Sequence, residues 1–77
     1  SSDLAKPYFE KYLETVKMDD AKNKKDIITA YDYLGSYAYQ KDDNAAATTY
    51  FEKLLVLDPE NKKAKDILAA FQQKKKK

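Results

Sequence analysis

The chain of 77 residues carries a formal net charge of +2 and contains no cysteine, histidine or tryptophan. A chain this short forms one small domain with a thin core. Without cysteine and histidine it has no disulfides, no thiolate or imidazole metal ligands and none of the usual nucleophile–base pairs of enzymes.

The composition predicts an all-α protein of about four helices. One glycine and two prolines are too few for a turn-rich β protein, and the long stretches of Ala, Leu, Lys, Glu and Gln favour helix. The first helix is predicted at residues 3–16, because Asp3 can cap it and Pro7 is tolerated only near a helix start. Its apolar residues recur with helical spacing at Phe9, Tyr12, Leu13 and Val16.

The polar segment 17–25 (KMDDAKNKK) is predicted to be a loop that leads into the second helix. Asn23 is a suitable N-cap, and Asp26 follows three residues later, near the positive end of the helix dipole. The second helix is expected to end at about Gln40. Its buried stripe is predicted to be Ile27, Tyr31, Leu34 and Ala38.

A tight turn is predicted at residues 41–44 (KDDN), because short polar residues tolerate left-handed backbone geometry and cap the helix that follows. The third helix is predicted at residues 43–57 and the fourth at residues 61–73, with Asp58-Pro59 between them. The predicted inward-facing residues of these two helices are Ala47, Phe51, Leu54, Leu55, Ala64, Ile67, Leu68 and Phe71.

An internal repeat relates the first helix to the third. The stretch AKPYFEKYL at residues 5–13 matches ATTYFEKLL at residues 47–55, with Ala, Tyr, Phe, Glu, Lys and Leu at the same offsets. Repeated helical units are the signature of a stacked array.

Residues 28–61 resemble a tetratricopeptide repeat, a helix-turn-helix unit of about 34 residues. The family pattern begins W-x2-L-G-x2-Y, continues with A-x3-F and closes with a proline. Tyr31 stands in place of the tryptophan. The other matching residues are Leu34, Gly35, Ala47, Phe51 and Pro59. Where the pattern has its tyrosine this chain has Ala38, preceded by Tyr37, an exchange that would conserve volume and move a ring toward a neighbouring helix.

The resemblance implies a right-handed superhelix that is built from one full repeat and two flanking pieces. Residues 28–61 would be the full repeat, residues 4–16 the second helix of a partial repeat, and residues 61–73 a capping helix. The helical domain would thus span residues 1–73, followed by a lysine tail at residues 74–77.

Two features of this predicted array concern its spacing. Gly35 is expected to pack against Ala46 or Ala47, because a residue without a Cβ lets two helices approach closely. The matching stretches of the internal repeat are 42 residues apart, longer than a repeat of about 34 residues. The extra residues are placed around positions 19–26, either as a longer second helix or as a longer loop.

In this family the first helix of each repeat lines a concave groove that binds peptides or proteins. The resemblance therefore implies a groove on the second helix, with Lys63 of the fourth helix as one additional cation. Tyr31 is expected to be a core residue, whereas ligand contact and core packing both stay open for Tyr33 and Tyr39. The predicted groove residues are Thr29, Asp32, Tyr33, Ser36, Tyr39, Gln40 and Lys63.

The predicted function is that of a non-enzymatic protein–protein interaction module that needs no cofactor or metal. The paired acids at positions 19–20 and 42–43 are interpreted as loop and capping residues rather than as a catalytic pair. One alternative is a structural role as the C-terminal cap of a larger solenoid. Another is electrostatic binding of an acidic surface or nucleic acid through the lysine tail.

Expectations about partners follow from composition and from the repeat. All fifteen basic residues are lysines, which disfavours nucleic acid because arginine is preferred for bidentate contacts to phosphates and bases. The first helix is expected either to mediate self-association or to contact the rest of a parent protein, since an uncovered face of a repeat array is sticky. No apolar run approaches the roughly 20 residues that span a membrane, and the sequence does not indicate a compartment.

Overall fold

The computed structural model describes the backbone of residues 4–75 and the side chains of residues 4–73. This part of the chain is all-α and contains no β-strand, which confirms the predicted fold class at that level. A short 3₁₀ turn at Ala21–Asn23 precedes the second helix. The helices are α1 (Ala5–Thr15), α2 (Lys24–Gln40), α3 (Asn44–Leu57) and α4 (Lys62–Lys75). The predicted cap Asp3 and the last two lysines lie outside the described residues.

The start of α2 differs from the prediction in its capping. Asn23 has helical backbone angles and makes no side-chain cap. Instead, its side-chain Nδ2 donates to the Lys17 backbone carbonyl at 3.1 Å. Asp20 caps the 3₁₀ turn by accepting from the Lys22 N–H at 3.1 Å. The extra residues around 19–26 therefore form both a turn and the first residues of α2. This helix is 17 residues long and begins before the predicted full repeat at residues 28–61.

The joint between α2 and α3 confirms the predicted tight turn. Asp42 has a positive φ of 62°, and the N–H groups of Asp42 and Asp43 donate to the carbonyls of Tyr39 and Ala38. These two bonds form a Schellman motif, which closes a helix around one left-handed residue. The Asp43 carboxylate then caps α3 by accepting from the Ala46 N–H at 3.1 Å.

A second side-chain cap starts α4. The Asn61 side-chain oxygen accepts from the Ala64 N–H at 3.0 Å, and the Asn61 amide nitrogen donates to the Asp58 carboxylate at 3.2 Å. Pro59 lies in the turn before this cap, where a missing N–H costs no helical hydrogen bond.

The core lies mainly between α2 and α3. The predicted stripe of α2 is buried throughout, and Tyr31 is a core residue as expected, with only 8% of its surface exposed. Burial of apolar side chains such as these is the main favourable term in folding. The buried apolar residues are Ile27, Ala30, Tyr31, Leu34, Ala38, Ala47, Phe51, Leu54 and Ala64.

The nearest neighbour of Gly35 is a ring and not one of the two predicted alanines. The atoms nearest to a Cβ added at this position belong to the Phe51 ring, at 2.9 Å, rather than to Ala46 or Ala47. Because Phe51 is fully buried, its ring occupies the space that a side chain at position 35 would need. The glycine therefore makes room for an aromatic ring at its closest approach to α3.

The helices form two neighbouring rows. α1 and α3 lie on the same side of α2, because Glu10 of α1 and Tyr50 of α3 line one depression whose floor includes Leu34 and Ala38. α4 packs against α3 and also contacts α2. These contacts place α1 and α3 in one row and α2 and α4 in the other.

α1 is the least buried of the first three helices, since none of its residues is fully buried. Its predicted stripe is partly buried, with Tyr12, Leu13 and Val16 packed against the core. The exposed apolar residues at this end are Leu4 and Tyr8, at 77% and 66% exposure. Tyr37 turns its ring toward α1, where the Lys6 Nζ lies 5.6 Å from the ring centroid, as the exchange of large and small residues predicts.

Candidate functional site

One surface combines residues of α2 and α4, and we refer to it as the α2–α4 face: Asp32, Tyr39, Lys63 and Phe71. Lys63 Nζ lies 3.0 Å from the Asp32 carboxylate, with both side chains about half exposed. Tyr39 and Phe71 are in ring contact, with their centroids 5.9 Å apart. Three of the seven predicted groove residues are thereby brought together on this face.

The same contacts fix the direction of α4. Position 63 lies beside position 32, and position 71 lies beside position 39. Because both numbers rise together, α4 runs parallel to α2. Tyr39 is 45% exposed, so the face offers an accessible ring about two helical turns along α2 from the ion pair.

Tyr33, a fourth predicted groove residue, faces α1. Its ring lies 4.9 Å from Phe9 and 6.3 Å from Tyr37, measured between centroids. Lys6 and Lys41 approach the Tyr37 ring at 5.6 and 5.5 Å. This aromatic cluster joins α1 to α2, and Tyr33 is half-buried within it.

The other three predicted groove residues are less prominent. Thr29 and Gln40 are exposed, and the Thr29 hydroxyl donates to the Lys25 carbonyl of its own helix at 3.1 Å. The Ser36 hydroxyl oxygen is buried and has no hydrogen-bond partner among the described residues. It therefore presents no polar atom to the surface in this conformation.

One depression between α3 and α4 was not predicted from the sequence, and we call it the α3–α4 cleft. It has a volume of about 710 Å³ and lies between two neighbouring helices. None of the predicted groove residues lines it. Its walls are Asn44, Ala45, Thr48, Glu52, Leu68, Phe71 and Gln72. A sequence signal existed in the small residues Ala45 and Thr48, which lie on the side of α3 opposite its buried stripe.

A smaller depression of about 230 Å³ lies at the other end of the molecule, and we call it the N-terminal flank. It is lined by Tyr8, Phe9, Tyr12, Asp26 and Thr29, from α1 and α2. Tyr8 is its most exposed aromatic residue. The flank and the α3–α4 cleft share no residue.

Two tyrosines have a raised pKa. Burial raises the pKa of the Tyr12 phenol, and the nearby Asp26 carboxylate adds to the effect. Burial also raises the pKa of Tyr31, followed by the influence of Tyr50. Both shifts favour the neutral phenol, so these groups stay uncharged at neutral pH.

Two lysines have a raised pKa because each forms a short ion pair one helical turn away. A hydrogen bond to Glu10 at 2.7 Å raises the pKa of Lys6, and one to Asp66 at 2.7 Å raises that of Lys62. Exposed pairs of this kind contribute little stability. They act as solvated surface groups and do not indicate a catalytic base.

The described residues contain no cluster of three carboxylate side chains that could hold a metal ion. Of the helices that the structure describes, none combines the length and apolarity needed to cross a membrane. Comparisons with protein-family models, with curated proteins and with solved structures found no match.

Proposed function

We propose that this chain is a protein-interaction module of the tetratricopeptide type, which binds a peptide or a protein segment on its α2–α4 face. The observation that carries the proposal is the pair of contacts between α2 and α4, namely Asp32 with Lys63 and Tyr39 with Phe71. They assemble side chains from two separate helices into one continuous surface.

The sequence spacing supports the same proposal. Tyr31, Leu34 and Gly35 are buried in α2, as the matched positions of the repeat pattern require. Leu68 and Ala69 of α4 stand 34 residues after Leu34 and Gly35, and α4 runs parallel to α2. A repeated helix that returns in parallel orientation is what a stacked array of helix pairs needs.

The chemistry of the face suits a polar peptide with an aromatic or apolar side chain. The ion pair of Asp32 and Lys63 is half exposed, so either group can exchange its partner for a group of the ligand at low cost. The exposed ring of Tyr39 offers a flat apolar surface and a hydroxyl, the combination that makes tyrosine frequent in binding sites. Because helices hold these groups in place, little conformational entropy is lost on binding.

The test uses random peptides displayed on phage, selected against the immobilised 77-residue chain. Binding of the selected peptides is then mapped by backbone amide chemical shifts in solution. We expect shifts at Asp32, Tyr39 and Lys63, and a loss of at least about tenfold in affinity for Tyr39→Ala, equivalent to about 1.4 kcal/mol. Met18→Ala is the matched control, because Met18 is an exposed apolar residue away from this face.

Peptides whose shifts fall only in the α3–α4 cleft would contradict the proposal. So would selected peptides that bind Tyr39→Ala as tightly as the wild type. A structural role in a longer array is the second candidate, favoured by the exposed Tyr8 on the N-terminal flank. In that case residues 1–77 would select no specific peptide.

A further inference from the structure

The nine-residue match between α1 and α3 occurs in two different environments. Phe51 and Leu54 are fully buried, because α3 packs against both α2 and α4. Their counterparts in α1, Phe9 and Tyr12, are only half-buried, and α1 packs mainly against α2. α1 thus has the sequence of a doubly packed helix, but only one of the two packing partners.

α4 shows the converse. Its Leu68-Ala69 stands 34 residues after Leu34-Gly35, the part of α2 against which Phe51 packs. Ala69 is nevertheless exposed, and it directly follows Leu68, which lines the α3–α4 cleft together with Phe71. The small residue Gly35 of α2 is therefore covered by an aromatic ring, whereas the matching small residue Ala69 of α4 is left exposed.

We propose that copies of this chain associate head to tail, with α1 of one copy in the α3–α4 cleft of the next. In this contact α1 packs on α4 as α3 packs on α2. Phe9 then meets Ala69, as Phe51 meets Gly35. The same contact places α4 along the N-terminal flank, beside α2 of the second copy, so both depressions are filled at once.

The pairing of Tyr50 with Tyr31 predicts a specific contact in this interface. Their ring centroids are 6.4 Å apart. The counterpart of Tyr50 in α1 is Tyr8, and the counterpart of Tyr31 in α4 is Lys65. Tyr8 is 66% exposed, and half of the Lys65 side chain is exposed. A lysine over a tyrosine ring is a favourable cation–π contact.

The charges along the second contact are also complementary. Within one copy, Asp32 of α2 lies beside Lys63 of α4. If α4 of one copy meets α2 of the next copy in the same register, the matching residues are Asp66 and Thr29. One helical turn earlier, Lys62 then comes level with residues 25 and 26, of which Asp26 is the one that lines the N-terminal flank. Opposite charges at that position favour this register.

A contact between two unlike surfaces does not close on itself, so it can add further copies. Sedimentation velocity of the 77-residue chain over a hundredfold range of concentration tests this. The average mass is expected to rise with concentration to at least about twice the monomer mass. A chain that stays monomeric throughout would overturn the proposal.

Two variants test which surfaces meet. Tyr8→Lys brings a second ammonium group to Lys65, and Ala69→Glu places a carboxylate where the Phe9 ring would pack. Each variant alone is expected to stay monomeric. An equimolar mixture is expected to form a dimer and nothing larger, because one protein keeps an intact cleft and the other an intact flank. Met18→Lys, an equal change outside both surfaces, is expected to associate like the wild type.

In a symmetric dimer through one self-complementary patch, every mixed dimer would still contain both substitutions, so the mixture could not regain the full contact. A mixture that stays monomeric would therefore overturn the head-to-tail arrangement, provided that circular dichroism shows both variants folded. If Ala69→Glu fails to fold, Tyr8→Lys combined with Lys65→Glu replaces it. This double variant is expected to regain association, and its failure to do so would also overturn the proposal. The inference does not depend on peptide binding by the α2–α4 face.

Discussion

A single missing Cβ determines how closely α2 and α3 approach. A Cβ at position 35 would lie 2.9 Å from the Phe51 ring, and this ring cannot move easily because it is fully buried. The sequence predicted the close approach, but it did not identify the ring that comes nearest to Gly35. Small residues indicate that space is needed, and they do not show which ring fills it.

Gly35→Ala is expected to destabilise the fold although alanine favours helix. Overpacking costs about 1–3 kcal/mol, which exceeds the gain of about 1 kcal/mol from helix propensity. Ala69→Gly is the reverse change at the matching exposed position, and it is expected to cost about 1 kcal/mol through propensity alone. Urea unfolding monitored by circular dichroism measures both. An increase in the free energy of unfolding for Gly35→Ala would show that Phe51 yields to the methyl group.

Tyr12 carries a buried hydroxyl oxygen without a hydrogen-bond partner among the described residues. Removing it in Tyr12→Phe is expected to raise the free energy of unfolding by about 1 kcal/mol at neutral pH, because an unsatisfied buried polar group is costly. Thr15→Val is the control, since the Thr15 hydroxyl is exposed and bonds to its own helix. A loss of stability in Tyr12→Phe would mean that the hydroxyl is paired in solution.

The same phenol gives a pH dependence. The pKa of Tyr12 is raised above its ordinary value of 10.0 by burial, so above that pH the unfolded chain loses the proton while the folded chain retains it. The part of the stability that depends on the neutral Tyr12 phenol is therefore fully present below pH 10, and it is lost as the pH rises toward the pKa of the folded state. Tyr12→Phe is expected to lose less stability than the wild type between neutral pH and pH 11.

At the scale of elements, the joint between α2 and α3 depends on one residue in a left-handed conformation. Asp42 has a φ of 62°, which costs an L-residue about 1–2 kcal/mol, and glycine none. Asp42→Gly is therefore expected to raise the free energy of unfolding by about 0.5–1 kcal/mol, after the greater entropy of glycine in the unfolded chain is subtracted. Asp42→Val should lower it, and thermal denaturation of the two variants side by side measures the difference.

Element boundaries were largely accessible from the sequence, because caps and apolar spacing are local properties. Asp43 caps α3 within the predicted turn, and Asn61 caps α4 at the predicted start of that helix. The prediction for Asn23 failed because its side chain bonds to the Lys17 carbonyl instead of capping α2. Both hydrogen bonds are local, and the sequence does not show which of them forms. The small residues Ala45 and Thr48 indicated a small-residue wall on α3, but the cleft itself did not follow from them, because an opening depends on how far apart two helices settle.

At the scale of the whole molecule, stability is expected to fall from the centre outward. α2 and α3 share the most extensive contact, whereas α1 contacts α2 far less and has no fully buried residue. Local opening is easiest where few apolar contacts must break. Hydrogen exchange at low protein concentration is expected to show the fastest amide exchange in α1 and the slowest in the facing halves of α2 and α3. Equal protection of α1 and α2 would indicate a single cooperative unit.

The tyrosines are natural spectroscopic probes of how the helices pack against α2. Each contact between α2 and another helix includes a tyrosine ring: Tyr33 beside Phe9 of α1, Tyr31 beside Tyr50 of α3, and Tyr39 beside Phe71 of α4. With no tryptophan in the sequence, near-ultraviolet dichroism comes from the seven tyrosines, these four among them, and from the weaker phenylalanine bands. Replacing one tyrosine at a time with phenylalanine would assign a separate signal to each helix pair, so the docking of α1, α3 and α4 could be followed individually without a label.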